Sequence, residues 1–408
     1  MPIGSGMSGL AQILYDLGHE VKGADIEKHL FTETNLHNKK IKIDTLDNMN
    51  YESSDVVIVG NAYENKYDFK NKKVVTYQQA LSELNDSYYS IAVCGTHGKT
   101  TTTNMIKHVL SSFYPTNYLV GDGNGYARKD AIYFVYEACE HRDHFLSYKP
   151  NICVCLNVDY DHVEYFTSKT QYKKSFYKLF DQTKNHIILN NTISYESSKR
   201  ITFGFNNSNV KATNVKYKEN GIFFNLVTYG KTYTNLFLPF YGKHILSDVL
   251  ATITCCNKLN IPILKIIECL KTYKNAGRRY NITFVNSNVV IDDYGHHPKE
   301  IQATINAIKQ EFPKKQLYIV YHPDRPKRLL SFLNQYKKAF SQSVFTYVLP
   351  FLNESQEAQN AINSIVDDNK IFLIYDNIYL KKYSNCVFLF TGSKEMKHII
   401  SKISACLI

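Results

Sequence analysis

The stretch Gly95-Thr-His-Gly-Lys-Thr100, followed by Thr101, Thr102 and Thr103, carries the strongest chemical signal in the sequence. Glycines let backbone N–H groups turn toward phosphate oxygens, and a helix N-terminus adds a positive field. In such a loop Lys99 reaches the β and γ phosphates of a nucleotide, and the Thr100 hydroxyl ligates Mg2+. Gly95, Thr96, His97, Gly98 and Thr101 complete the candidate ATP loop. Position 93 is Val, so the motif is the shorter GxxGKT rather than a full Walker A sequence. A GKT alone is common. Here SIAVCG reads as a strand leading in and TTTNMIKHVLSSF as a helix leading out, which is the order phosphate binding needs.

Other polar clusters also follow apolar runs. Glu137 and Glu140 come after YFVY, and Asp159, Asp161 and His162 come after NICVCLNV. Acids at these strand ends could hold Mg2+ against a nucleotide, although solvated loops carry the same residue types. Magnesium prefers oxygen, which makes His162 the less obvious ligand. Asp292 and Asp293, with His296 and His297 behind them, could serve metal or acid–base work, or could simply cap a helix. Arg325 and Arg328, in HPDRPKR, suit a carboxylate or phosphate partner, but also a basic surface loop. Near the start, Gly4, Gly6 and Gly9 in GSGMSGLAQIL read as a nucleotide-binding turn running into a helix.

These clusters need strands to position them. The first segment, residues 1–87, alternates helix with the strand-like runs EVKGADI, DVVIVGNA and KKVVTY. The second, 88–274, holds the phosphate loop; from Arg200 to Gly242 it alternates in strand fashion and reads as an antiparallel insert, and a helical stretch from His244 to Tyr273 closes it. The third, 275–408, repeats short buried strands between helices. Short apolar runs alternating with helices imply parallel sheets. The expected architecture is α/β with three domains: an N-terminal Rossmann-like domain, a central P-loop-type ATPase domain and a C-terminal Rossmann-like domain.

Composition narrows the function classes. Among 408 residues, 48 are Lys or Arg and 37 Asp or Glu, a formal charge of +11. The basic residues are spread out and form no tract interleaved with aromatics, so nucleic acid is not the expected partner. No apolar run approaches the ~18 residues of a membrane span, so no membrane partner is expected either. Nine cysteines without a CxxC read as reduced thiols. A cytoplasmic location is the expectation.

Taken in order, GSGMSGLAQIL, GTHGKTTTT, EACEHRDHFLSYKP, NVDYDH, GKH, GRRY, DDYGHHP, HPDRPKR and FTGS resemble the Mur ligase family over essentially the whole chain. The resemblance implies an ATP-dependent ligase of peptidoglycan precursor synthesis. It joins L-alanine to the lactyl carboxylate of UDP-N-acetylmuramate through an acyl phosphate, as a monomer or weak dimer. A sibling ligase adding a peptide or another amino acid, and an inactive nucleotide-binding homologue, are the alternatives. By match, Gly95 to Thr101 form the ATP loop, and Lys99, Glu137, His162 and Asp293 are the catalytic group. Thr100, Glu137 and His162 form the magnesium shell. Arg278 or Arg279 is the arginine near the phosphates, with Arg278 preferred. Arg325 and Arg328 grip the alanine carboxylate. Gly4, Gly6, Met7 and Ser8 hold the UDP-sugar, and Asp25 meets a ribose hydroxyl.

The chain departs from the family pattern at Ile3, where another Gly is usual, and at Asp324, where His is usual. Ile245 and Asp248 stand where asparagines are common. Only three residues precede Gly4, and such a turn normally follows a strand. Either the start lies upstream, with that strand supporting the UDP-sugar loop, or the first strand has been lost; the upstream start is the preferred expectation.

Overall fold

The computed structural model describes residues 5–25, 32–60, 63, 69, 72–275, 277–352, 355–367, 369–375 and 383–406. Ile3 and Gly4 lie outside the described residues.

A ten-stranded sheet forms the middle of the molecule. In spatial order its strands are Lys231–Leu238, Gly221–Thr228, Val210–Lys218, Arg200–Gly204, His186–Asn190, Ile152–Cys155, Tyr89–Cys94, Tyr133–Glu137, Thr116–Leu119 and Gly125–Tyr126. The strands from Arg200–Gly204 across to Thr116–Leu119 are parallel. Antiparallel pairing is confined to the two ends. The expected insert from Arg200 is therefore corrected. Arg200–Gly204 belongs to the parallel core, and it is buried along most of its length, as a strand covered on both faces must be. From there, only the strands within Val210–Leu238 pair antiparallel with one another, and they extend the same sheet. The helical stretch from His244 is two helices, Lys243–Lys258 and Ile263–Lys271. Asn260 adopts the left-handed conformation with φ 64°, and Pro262 lacks the N–H that would continue the first helix.

Helices cover both faces of this sheet. On one face Met105, Ile106 and Val109 pack with Val249, Leu250 and Ile253 against Ile91, Val93 and Val154. On the other, Met7, Leu10 and Ile13 of the first helix share a cluster with Ala92, Cys94, Phe134 and Phe176. The N-terminal helix Ser5–Asp16 thus buries its apolar stripe in the central core.

A six-stranded sheet follows, in the order Asn281–Val285, Asn288–Asp293, Cys386–Thr391, Gln316–Tyr321, Thr346–Val348 and Ile371–Leu373. The first pair is antiparallel and the rest are parallel. Asn281–Val285 has no counterpart in the sequence reading, because an edge strand with exposed Thr283 and Phe284 shows no apolar run.

The N-terminal segment holds two separate parallel pairs, Lys22–Asp25 with Lys42–Thr45 and Val56–Val59 with Lys73–Thr76. A doubly wound sheet uses its first strand to join two such halves. Among the described residues no strand joins these pairs. Among those residues, too, no helix is long and apolar enough to cross a membrane.

Candidate active site

Three adjacent parallel strands deliver the chemistry to one edge. Tyr89–Cys94 runs into Gly95, its neighbour Tyr133–Glu137 ends at a carboxylate, and Ile152–Cys155 leads to the loop 157–164. In open α/β sheets ligands bind beyond such carboxyl ends. Gly95 and Gly98 have φ of 134° and 83°, a region that suits glycine. A Cβ at Gly98 would sit 2.8 Å from Asp248 Oδ1, so the loop also needs glycine for space. The helix Lys99–Ser111 starts immediately after it. This brings a positive helix end and turned backbone amides to one place.

The loop is bound up with acids. Lys99 Nζ donates to Gly95 O at 2.6 Å, Thr96 O at 3.1 Å and Glu140 Oε2 at 3.0 Å. The Thr100 hydroxyl donates to Glu137 Oε2 at 2.8 Å, and the Gly121 N–H donates to that oxygen at 3.1 Å. Glu140 is 1% exposed. Burial alone would raise its carboxyl; the Lys99 ammonium, then His162, outweigh this and hold it at about 2. Burial likewise opposes the imidazolium of His162, yet Glu140, Glu164 and Asp161 bring it up to about 9. His162 Nε2 lies 3.5 Å from Glu140 Oε1. Of the three residues expected to share a magnesium ion, Thr100 and Glu137 touch directly, while His162 meets Glu140. Glu140 entered the sequence reading only as one of several acids. Its place as the partner of both Lys99 and His162 comes from a turn after Glu137 that spacing does not specify.

The six-stranded body closes over this edge. Arg279 donates from Nη2 to the Thr100 hydroxyl at 3.1 Å, and its guanidinium lies 4.5 Å from the Tyr294 ring centre. The expectation for Arg278 is corrected. Its Nε pairs with Asp292 Oδ1 at 2.9 Å and its Nη1 donates to Lys394 O at 2.6 Å, so it is spent within its own body. Both arginines lie in the bend before the strand Asn281–Val285, and its path sends Arg279 rather than Arg278 to the loop.

Asp293 is buried and accepts from the Tyr280 N–H at 3.1 Å and the Thr304 hydroxyl at 2.8 Å. Burial pushes its carboxyl up. It lines a cleft of about 480 Å3 between the two bodies, with Gly98, Asn157, Lys243, Asp248 and Arg279. Burial also pushes Asp248 well above the carboxylate range, which favours a neutral, amide-like acid beneath the loop.

Polar and charged contacts join the two bodies. His97 Nδ1 lies 3.2 Å from Glu300, and Lys299 bonds Asp159. Arg325 bonds Glu164. Arg328 makes a two-pronged contact with Asp161, Nε to Oδ1 at 3.0 Å and Nη2 to Oδ2 at 3.1 Å. Its Nη1 also donates to Asp324 Oδ2 at 2.8 Å. Both arginines expected to grip a substrate carboxylate are thus held by carboxylates of the chain itself. Asp324, where His is usual, supplies one of them.

The N-terminal turn also differs from expectation. Gly6, Met7 and Ser8 lie in the first turns of the helix Ser5–Asp16 rather than in an open loop. Met7 packs in the core, and the Ser8 hydroxyl donates to Thr32 O at 3.0 Å. Gln12 ties the helix to Gly123 O at 2.7 Å. The side chains of Met7, Ser8 and Gln12 face the interior. Asp25 is buried at the end of its strand.

Comparison with known proteins adds three family matches along the chain. Residues 3–89 match the Mur ligase family catalytic domain, 93–256 the Mur ligase middle domain, and 278–378 the Mur ligase glutamate ligase domain. Among solved structures, UDP-N-acetylmuramate-alanine ligase MurC from Thermotoga maritima is similar at 23% identity and TM-score 0.80, covering 100% of this chain and 96% of that one. A murein peptide ligase from Psychrobacter arcticus is similar at 18% identity and TM-score 0.70, covering 99% and 97%. The MurF ligase of Thermotoga maritima in complex with ADP is similar at 16% identity and TM-score 0.65, covering 98% and 97%.

Proposed function

The chain belongs to the Mur ligase family of ATP-dependent ligases, and from that premise we propose that it joins L-alanine to the lactyl carboxylate of UDP-N-acetylmuramate in peptidoglycan precursor synthesis. The observation that carries this reading is the phosphate loop of one body met by Arg279 of the next, over a nucleotide-sized cleft. A carboxylate is a poor acyl donor because oxide is a poor leaving group. Its oxygen attacks the γ-phosphorus of ATP and ADP departs. The amine then attacks the acyl carbon, phosphate departs, and the amine loses a proton. Catalysis of this kind is mostly positioning and charge neutralisation.

The loop amides and Lys99 hold the phosphates, and Arg279 neutralises charge from the opposite wall. For that, Lys99 exchanges its contacts with Gly95 O and Thr96 O for phosphate oxygens. Thr100 and Glu137 present two oxygens 2.8 Å apart beside the loop, a hard donor set that fits magnesium. Bound there, with Glu140 and His162 in the surrounding shell, the ion would offset phosphate charge. Asp293 orients the wall of the cleft through Tyr280 and Thr304.

One observation favours a sibling reading. Arg328 is held by Asp161 and Asp324 and Arg325 bonds Glu164, so both arginines expected for an α-carboxylate are engaged by acids of the chain, and a different amino acid or a peptide is the second candidate.

Phosphate release with ATP, Mg2+ and UDP-N-acetylmuramate tests both readings. Release is expected only when L-alanine is added. Release with another amine in competition against alanine would move the assignment to the sibling. Nucleotide binding without amine-dependent release would mean an inactive homologue.

The two arginines of GRRY should separate cleanly. Arg279→Ala is expected to lower ligase kcat/KM by about 10²-fold or more, the scale for one charge-stabilising donor. Arg278→Ala should chiefly lower the melting temperature. Equal kinetic losses would contradict the geometry.

A further inference from the structure

We propose that Gln12 and Gly121 are positioning residues for Glu137, and that the turn between them ties the phosphate loop to the N-terminal helix. The proposal rests on the ligase reading, which puts the UDP-sugar on the N-terminal body and the nucleotide at the loop. The turn, residues 120–124, joins the strands Thr116–Leu119 and Gly125–Tyr126 at one end of the ten-stranded sheet. The Val120 N–H donates to Asn124 O at 2.8 Å, and the Gly123 N–H donates to Val120 O at 3.2 Å. Asp122 accepts the Asn124 N–H at 3.1 Å. With these bonds inside it, the turn shifts as a unit.

One side of the turn faces Glu137. The Gly121 N–H donates to Glu137 Oε2, the oxygen that also accepts the Thr100 hydroxyl. A Cβ on Gly121 would sit 2.2 Å from that oxygen, so the carboxylate lies directly on bare backbone. The helix Ser5–Asp16 grips the other side. The buried Gln12 amide donates to Gly123 O at 2.7 Å and accepts from the Gly125 N–H at 3.5 Å. A Cβ on Gly125 would come within 1.9 Å of Gly9 O, so helix and hairpin meet backbone to backbone. Asn35, in the helix Glu33–Asn38, donates from Nδ2 to Asn124 Oδ1 at 2.7 Å.

A hydrogen-bonded path therefore runs from Gln12 through the turn to Glu137 and on to Thr100. Packed and hydrogen-bonded elements of this kind carry coupling when they have two arrangements. Here the two differ in whether the Gly121 N–H reaches Glu137. Gln12 lies further along the helix whose first turn holds Gly6, Met7 and Ser8, so a ligand seated at that helix start bears on the turn. Occupancy of the N-terminal body holds Glu137 against Thr100. Because coupling is reciprocal, nucleotide at the loop favours the UDP-sugar in return.

Calorimetric titration of the full chain with a non-hydrolysable ATP analogue in Mg2+, with and without UDP-N-acetylmuramate, reads the coupling without turnover. Binding of each ligand alone tests the ligase reading, and the ratio of the two nucleotide affinities tests this one, so the failures are distinguishable. UDP-N-acetylmuramate should tighten the nucleotide at least about fivefold, the low end of ordinary coupling between sites. Gln12→Met, close in size but without the amide, should erase that difference and leave nucleotide affinity in the UDP-sugar-free protein near wild type. Gly121 lacks a left-handed φ, and its added methyl would meet only the tip of a flexible side chain, so Gly121→Ala should fold. It should also erase the difference, with affinity for UDP-N-acetylmuramate alone unchanged. Asp16→Ala removes another tie between the same helix and hairpin, to the Ala127 N–H at 3.2 Å, and should keep the coupling. Wild-type coupling in Gln12→Met or Gly121→Ala would overturn the proposal. So would no coupling in the wild type, or its loss in Asp16→Ala.

Discussion

Lys99→Met is expected to lower amide-bond formation by at least about 10²–10³-fold, the scale for removing one preorganised group that stabilises transferring charge. The same substitution also acts on stability, because Lys99 neutralises a carboxylate with almost no exposure. Stripping one partner from a buried pair costs up to about 3–5 kcal/mol. Here His162 and the Tyr172 hydroxyl, 3.4 Å from Glu140 Oε1, still face the acid and soften the loss. A Lys99→Met, Glu140→Gln double variant separates the two effects. It should regain most of the melting temperature and none of the turnover. Turnover that returned with stability would mean that Lys99 holds the loop together and does not touch phosphate.

Arg328→Met should be the most destabilising single change in the six-stranded body, by about 3–5 kcal/mol. Arg328 is 3% exposed and binds buried Asp161 and part-buried Asp324 together, so its loss leaves both acids without that partner. Burial would raise the Asp324 carboxyl, but Arg328 first and His296 next hold it below its ordinary value. A depressed carboxyl contributes stability that is complete above the unfolded pKa and lost as pH falls through the folded one. Wild-type protein should therefore lose this contribution below about pH 4. In Arg328→Met the sign reverses. The unpaired acids rise above their unfolded values, and the variant's deficit should shrink as pH falls. Adding Asp324→Asn should recover part of the loss. Thermal unfolding followed from pH 7 down to about pH 2 reads all three. A deficit independent of pH would show that Arg328 acts by packing alone.

The contrast between these two residues shows what local sequence can carry. Lys99 was legible because everything that positions it is contiguous: a strand, two glycines and a helix start within about twenty residues. Glu140 was visible as an acid but not as a partner, because the turn between Glu137 and Glu140 sets its direction. The two arginines of GRRY were indistinguishable by type. Only their partners separate them, Asp292 for Arg278 and Thr100 with the ring of Tyr294 for Arg279. The N-terminal turn carried its glycine spacing plainly, yet Met7 and Ser8 are drawn inward because their helix completes the core of the central sheet.

By itself the sequence determined the α/β character, the glycine-rich loop between its strand and helix, and the succession of sheets, since period and turn chemistry act over short range. The tertiary structure decided which acids meet Lys99 and His162, which arginine crosses to Thr100, and that Arg328 is already bound. Those outcomes depend on residues from tens to well over a hundred positions apart being brought within hydrogen-bond or ion-pair distance, where charge and burial act together and sequence spacing carries no information.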